Sequence, residues 1–253
     1  MRPLPENTMI DLHCHILPEL DDGPRTWEEA LTMARLAVSD GIRTLVATPH
    51  LFRRRTVNLD EVNEKEAIFQ QIEALRARLA EAHIPLEILA GCDFPLSREA
   101  LELLDEDRVI TINDGRRYLQ LELPDTALPP ATEEICYSLQ GRGLTPIITH
   151  PERHVIIQER PEKLARLLDL GCLVQLTAGS LTGRFGRRVA KLSRSLVQNG
   201  YIHLLASDAH DSQDRPPILS EAVALLTRLI GNEEAMDMVT TIPQKILGGE
   251  AVP

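Results

Sequence analysis

Aromatic side chains are scarce in this chain, at 3% of its residues. Few flat surfaces are therefore present on which nucleic-acid bases could stack. Lysine is scarcer still, with 4 Lys against 23 Arg, and the 38 acidic residues bring the formal charge to -11. That balance argues against wholesale binding to nucleic acid. Four cysteines without a Cys-x-x-Cys spacing fit a reducing compartment without structural disulfides or a thiolate zinc site. No run approaches the ~18 apolar residues of a transmembrane helix, and the N-terminus lacks the apolar stretch of a signal peptide, so the expected location is the cytoplasm. No Ser/Gly linker, low-complexity tract or internal repeat divides the 253 residues, a length within the range of one barrel domain. The expected organisation is a flexible lead over residues 1–8 and a single domain over 9–253.

What the chain does have is a series of short apolar runs that end in ligand-type side chains. Met9-Ile10-Asp11-Leu12 leads into His13-Cys14-His15, and Ile202-His203-Leu204-Leu205-Ala206 into Ser207-Asp208-Ala209-His210. Side chains at i and i+2 leave a strand on one face, so each pair can converge on one point, and a metal site joining the two ends of the chain is the natural reading. The pattern repeats between them, with runs ending at His50, Asp93, Glu122 and His150; only the run 172–177 lacks such an end. Helix-like periodicity fills the gaps at roughly 26–40, 60–82, 130–142, 161–170, 186–198 and 216–229, while 97–105 is too short to assign.

Seven short strands alternating with amphipathic helices predict parallel βα units in an α/β fold, a distorted (β/α)7 TIM-like barrel. Active sites of such barrels lie at the C-terminal ends of the strands. A single His or Asp there is more often a cap or turn residue; six of seven strand ends together predict a metal centre. Arg53-Arg54-Arg55 follows His50 by three residues, and because guanidinium groups fork onto phosphate, Arg53 and Arg54 are candidate substrate-binding residues, a solvated loop being the plain alternative.

His13-Cys14-His15, Asp21-Asp22-Gly23, Thr48-Pro49-His50, His150-Pro151-Glu152-Arg153 and Ser207-Asp208-Ala209-His210, in this order and spacing, resemble the polymerase and histidinol phosphatase (PHP) superfamily. Within it, Asp21-Asp22-Gly23-Pro24, the segment 175–186 and Arg215-Pro216-Pro217 are similar to the manganese-dependent bacterial protein tyrosine phosphatases of capsule and exopolysaccharide operons, the CpsB/CapC-like group. The resemblance runs from residue 9 to about 247 and implies a PHP-type barrel. It further implies that His13, His15, Asp93 and Asp208 hold one metal, that Asp93 bridges to a second held by Glu122 and His150, and that Asp22, His50 and His210 hold a third. Arg153 and Arg215 match the arginines that position the phosphoryl group, and His154, next to Arg153, is a candidate substrate contact.

Mixed imidazole and carboxylate ligands suit two or three Mn ions, with Fe or Zn as alternatives. The implied reaction is phosphotyrosine hydrolysis by a metal-bridged hydroxide attacking phosphorus in line, on a bacterial tyrosine kinase that regulates polysaccharide synthesis. An oligomer is compatible with this reading. Two alternatives stand beside it: a PHP-type phosphatase for small phosphomonoesters such as histidinol phosphate, and a non-catalytic PHP regulatory module. One departure is visible. The group usually has Glu where this chain has Asp93, which is one methylene and about 1.5 Å shorter, so a bridging role is expected to need a backbone adjustment.

A thiol mechanism needs Cys-x5-Arg, a spacing met at Cys92/Arg98 and Cys136/Arg142. A phosphate-cradling loop needs small residues and free N–H groups. Asp93-Phe94-Pro95-Leu96 supplies neither, and Cys136 falls in a helical pattern. Cys14 is read as core, His83 and His203 as structural, and Ser180 and Thr182 as capping or lining residues of the loop after the sixth strand.

Overall fold

The structure, a computed structural model, describes residues 8–51, 53–54, 60–61, 64–97, 99–124 and 127–252, without the side chains of 53–54, 60–61 and 99–100. Most of the expected lead, residues 1–7, therefore lies outside the described residues. The strands are β1 (Met9–Cys14), β2 (Ile42–Ala47), β3 (Arg53–Arg54), β4 (Asp60–Glu61), β5 (Glu87–Ala90), β6 (Asp93–Pro95), β7 (Tyr118–Glu122), β8 (Thr145–Thr149), β9 (Leu173–Thr177) and β10 (Leu204–Ala206). The α-helices are α1 (Trp27–Asp40), α2 (Lys65–Glu81), α3 (Glu99–Asp105), α4 (Thr132–Gly141), α5 (Val155–Glu159), α6 (Glu162–Asp169), α7 (Ala178–Thr182), α8 (Arg187–Gln198), α9 (Ser220–Ile230), α10 (Asn232–Asp237) and α11 (Thr241–Leu247).

Two parallel sheets, β1-β2-β5 and β10-β9-β8-β7-β6, form the staves of the expected distorted (β/α)7 barrel. The apolar run 86–92 supplies β5, and the residues directly after it, from Asp93, form β6; β5 pairs with β2 and β6 with β7, so this stretch carries the ring from one sheet to the other. Gly91 stands at the crossing, where a Cβ would lie 2.6 Å from Val46 Cγ1. On the opposite side of the ring β1 meets the residues after β10: Asp208 N donates to His13 O and His15 N donates to Ala209 O, both at 2.8 Å.

The interior of the ring is layered. Ile10, Leu12, Val46, Tyr118, Ile147, Leu173 and Leu204 pack together with Ile246 and Leu247 of α11, which closes the N-terminal end of the strands. Two residues further along their strands Tyr118 gives way to Gln120 and Leu173 to Gln175, both fully buried. Another step brings Glu122, Thr149 and Thr177. Between Asp11 and Cys14 the β1–β2 register shifts, a bulge that sets consecutive residues on one face. Leu12 thereby joins the apolar layer while His13 reaches Gln175.

The helices follow their expected spans with informative differences. Thr26 caps α1 by accepting from Glu29 N at 3.2 Å, and Gly41 ends it at φ 100°. The helix expected from residue 60 starts at Lys65, because its buried positions begin only at Ile68; Asp60–Glu61 instead pair antiparallel with Arg53–Arg54. The helix expected from 216 starts at Ser220, where the Asp40 carboxylate accepts from Leu219 N at 2.6 Å and Ser220 N at 3.0 Å. The stretch 97–105 contains α3, and the loop after the sixth expected strand contains the short α7.

Candidate active site

All nine ligand-type residues singled out in the sequence meet at the C-terminal mouth of the ring. His13 and His15 come from the end of β1, Asp22 from the turn before α1, His50 from the turn after β2, Glu122 from the end of β7, His150 from the end of β8, and Asp208 and His210 from the turn after β10. Asp93 does not end a strand as expected but opens β6, where its N–H donates to Pro49 O at 3.3 Å and its carbonyl accepts from Leu51 N at 3.4 Å. This pairing beside His50 draws the shorter carboxylate inward. His150 (φ 38°) and Asp208 (φ 52°) adopt left-handed backbone, conformations that persist only where surrounding structure enforces them.

The ring tautomers can be read from a chain of hydrogen bonds. Gln120 Nε2 donates to Leu12 O at 3.0 Å, which fixes its amide, and also to Gln175 Oε1 at 3.2 Å. Gln175 Oε1 is thus the acceptor 2.9 Å from His13 Nδ1, placing that ring's proton on Nδ1. His15 Nδ1 donates to Asp21 Oδ2 at 2.6 Å. Both histidines therefore present bare Nε2 lone pairs, and these face each other at 3.2 Å. Burial, then the neighbouring His210, His50 and His13, push His15 well below the usual imidazole range.

Asp93 Oδ2 is buried without a hydrogen-bond partner, yet lies 3.6 Å from His13 Nε2, 3.6 Å from His150 Nε2 and 3.8 Å from His50 Nδ1. Opposed lone pairs and an orphaned carboxylate oxygen are relieved by a shared cation, whose ligands at ~2.1 Å would stand ~3.0–3.4 Å apart. The donor set fits a divalent ion. Four groupings have ligand atoms within 4.8 Å of one another: His15–Asp22–His50–His210, His13–His15–Asp93, His13–His150–Asp208 and His50–Asp93–Glu122. These groupings differ from the implied division at three histidines: His15 also joins Asp22, His50 and His210, His50 rather than His150 joins Asp93 and Glu122, and His150 joins His13 and Asp208.

Asp208 divides its oxygens between two functions. Oδ1 lies 3.4 Å from His13 Nε2 and 3.6 Å from His15 Nε2, while Oδ2 accepts from Arg153 at 2.6 Å and Arg215 at 2.7 Å. Although burial opposes its charge, Arg153, His13 and Arg215 hold this carboxyl well below the usual range. His150 is pushed down to about 4, by burial first and by the Arg153 cation second, so its imidazole is neutral at pH 7. Phe185 covers both guanidiniums, its ring centre 4.9 Å from Arg153 Cζ and 5.7 Å from Arg215 Cζ. A cavity of about 220 Å³ opens over this arrangement, walled by Asp22, His50, Glu122, Leu123, His150, Arg153, Asp208, His210 and Arg215.

Other sequence candidates fare differently. The side chains of Arg53 and Arg54 lie outside the described residues, as do Arg55 and Arg98. His154 borders the cavity, but its Nε2 donates to Pro124 O at 2.8 Å and its Nδ1 accepts from Ile157 N at 3.4 Å, leaving no ring nitrogen for a phosphate. Cys92 is buried and donates to Ile110 O at 3.0 Å; burial pushes its thiol far up. Arg142 forks onto Asp105 at 2.9 and 3.0 Å, and buried Cys136 lies within α4. His203 accepts from Val174 N, a structural bond. Sequence reasoning passed over Asp21, Gln120 and Gln175, which orient the ligands; a glutamine flanked by apolar residues inside a strand was the available signal.

Comparison with known proteins places this geometry. Residues 9–248 match the family described as capsular polysaccharide synthesis, CpsB/CapC. The tyrosine-protein phosphatase YwqE of Bacillus subtilis is 38% identical over 225 residues, covering 89% of this chain and 86% of the relative. The tyrosine-protein phosphatase CpsB of Streptococcus pneumoniae is 29% identical over 94% of this chain and 98% of its own. Crystal structures of YwqE and CpsB, described as unique metal-dependent tyrosine phosphatases, include a chain that superposes with a TM-score of 0.91 at 36% identity, covering 97% of this chain and 96% of that one.

Proposed function

The chain belongs to the CpsB/CapC family of capsular polysaccharide synthesis, and from that premise we propose that it is a metal-dependent phosphatase that hydrolyses phosphotyrosine in proteins. The observation that carries this reading is Asp93 Oδ2, orphaned among three imidazoles, one wall away from two arginines anchored on Asp208. His13, His15, Asp93 and Asp208 would hold one ion, Asp93, Glu122 and His150 a second, and Asp22, His50 and His210 a third, with His15 bordering the last. Bound there, divalent ions supply positive charge to phosphoryl oxygens and a water of lowered pKa. Manganese is our assignment, supported by an imidazole and carboxylate donor set without thiolate.

Arg153 and Arg215 bind the phosphoryl oxygens. Each keeps N–H donors beyond those spent on Asp208, and a shared carboxylate anchor fixes their spacing before substrate arrives. Leu123 supplies the apolar wall for an aryl ring. A departing tyrosinate, whose free phenol has a pKa near ~10, needs less protonation than an alkoxide. The natural substrate we propose is a tyrosine kinase of the polysaccharide system, met in the cytoplasm; none of the described helices is long and apolar enough to cross a membrane.

The test is hydrolysis of a phosphotyrosine peptide by chelator-stripped protein with and without added Mn, with histidinol phosphate as competitor. Mn-dependent cleavage of the peptide is expected. Preference for histidinol phosphate would overturn the substrate assignment, and turnover indifferent to metal would overturn the mechanism.

A further inference from the structure

In a chain of net charge -11, residues 170–207 contain no Asp or Glu, where the chain average would place about six. The same span carries Arg184, Arg187, Arg188, Lys191 and Arg194, all exposed. Four of these lie on α8, whose buried side is Val189, Ala190, Ser193, Leu196 and Val197. Positions 187, 191 and 194 follow one another at helical spacing along the outer face, with 188 beside them. Among the described residues none of these four forms an ion pair. Arg184 donates to the Asp214 carbonyl and adds a fifth positive charge at the upper end.

The stripe starts at the active-site mouth. Phe185, whose ring covers Arg153 and Arg215, lies two residues before Arg187, and α8 packs against the turn Pro151–Arg153 that carries Arg153. From residue 187 to 194 the helix rises ~10 Å, a length that ~3 residues of extended chain would match. Some surface cations elsewhere pair with carboxylates, as in Arg76–Glu73, Arg108–Glu64 and Arg166–Glu133, and others, such as Arg35 and Arg228, stand singly rather than in a row. With four cations and no acid of its own, α8 differs from α1, α2, α6 and α9, each of which mixes acidic and basic residues.

We propose that the outer face of α8 is a docking stripe for acidic residues that flank the phosphotyrosine in the protein substrate. This rests on the phosphotyrosine reading above. A substrate segment would place its phosphoryl group between Arg153 and Arg215 and lay Asp or Glu residues, a few positions away, along Arg187, Arg188, Lys191 and Arg194. Attraction of this kind raises the encounter rate and is weakened by salt.

The experiment compares wild type with R187Q/R188Q/K191Q/R194Q on three substrates: a phosphotyrosine peptide with flanking Glu residues, the same peptide with Gln in their place, and p-nitrophenyl phosphate, which has no flank. Exposed ion pairs are each worth a factor of roughly 1.4 to 5, so wild type is expected to favour the acidic peptide in kcat/KM by about tenfold at low salt. The variant is expected to lose that preference while keeping its turnover of p-nitrophenyl phosphate and its melting temperature. Equal kcat/KM for the two peptides in wild type, or a preference that survives in the variant, overturns the stripe. Wild-type sedimentation with phosphatidylserine vesicles that the variant loses, with peptide preference unchanged, assigns the face to anionic lipid and overturns it as well. Turnover of p-nitrophenyl phosphate with neither peptide cleaved removes the phosphotyrosine reading and the stripe with it.

Discussion

Replacing Asp21 by Asn asks whether hydrogen bonds, rather than packing, aim the imidazole lone pairs. The Asp21 carboxylate receives three donors: His15 Nδ1 at 2.6 Å and His50 N at 3.0 Å on Oδ2, and Gly23 N at 2.8 Å on Oδ1. An asparagine has one acceptor oxygen. With that oxygen in the Oδ2 position its NH2 meets the Gly23 N–H, donor against donor. Flipped, its NH2 meets His15 Nδ1 and drives the ring proton to Nε2, the nitrogen now pointing into the ligand cluster. Outer positions of this kind typically change metal affinity by about 10–100-fold, equivalent to ~1.4–2.7 kcal/mol. We expect the Mn dissociation constant of chelator-stripped D21N, measured calorimetrically, to rise by such a factor. Saturating Mn should return kcat to within about threefold of wild type, because Asp21 does not line the cavity. An affinity within twofold of wild type would refute the orienting role, and a kcat that stays low at saturating Mn would place Asp21 on the reacting atoms instead.

Asp93→Glu should retain more metal than wild type after dialysis, since the shorter carboxylate stands 3.6–3.8 Å from its three imidazoles; equal metal content would count against this. In metal-free protein, His150 in the unfolded chain takes up a proton below its ordinary value near 6.5, which the folded chain refuses until about 4. This contribution to stability is present above pH 6.5 and is lost as pH falls towards 4, by up to ~3 kcal/mol. Urea unfolding of His150→Gln across that window should have a pH slope lower by about one proton, and identical slopes would refute the assignment. Cys92→Ser and Cys136→Ser should keep activity within about tenfold of wild type, as neither thiol faces the cavity; a larger loss in a folded variant would reopen thiol chemistry.

The outline of the site was legible because ligand-type side chains recur at the ends of short apolar runs, and a ring of parallel strands brings such ends to one place. Its inner support was less so. Asp21 and Asp22 are adjacent and chemically identical, and only the turn decides that Asp21 aims at His15 while Asp22 aims at His50 and His210. Gly23 shows why the turn is tight: a Cβ there would lie 2.4 Å from His15 O. The 86–92 run reads as one strand ending at Asp93 because its apolar pattern is continuous; that Asp93 opens a second strand, in the other sheet, depends on partners distant in sequence. The helical periodicity of α2 extends back to residue 60 in the sequence, but its first buried position is Ile68, and the helix begins only one turn before that anchor, at Lys65.

The meeting of β1 with the turn after β10 has a consequence for biosynthesis. Ser207 and Asp11, which join there through the Ser207 N–H and hydroxyl, are 196 residues apart. A ribosome adding ~5–20 residues per second makes them ~10–40 s apart. Throughout that interval the histidines of the first strand have emerged without the aspartate and histidine of the last. Completion of the full centre is thus confined to chains whose synthesis has passed the final strand, and a prematurely terminated product would lack the Asp208 carboxylate that anchors Arg153 and Arg215.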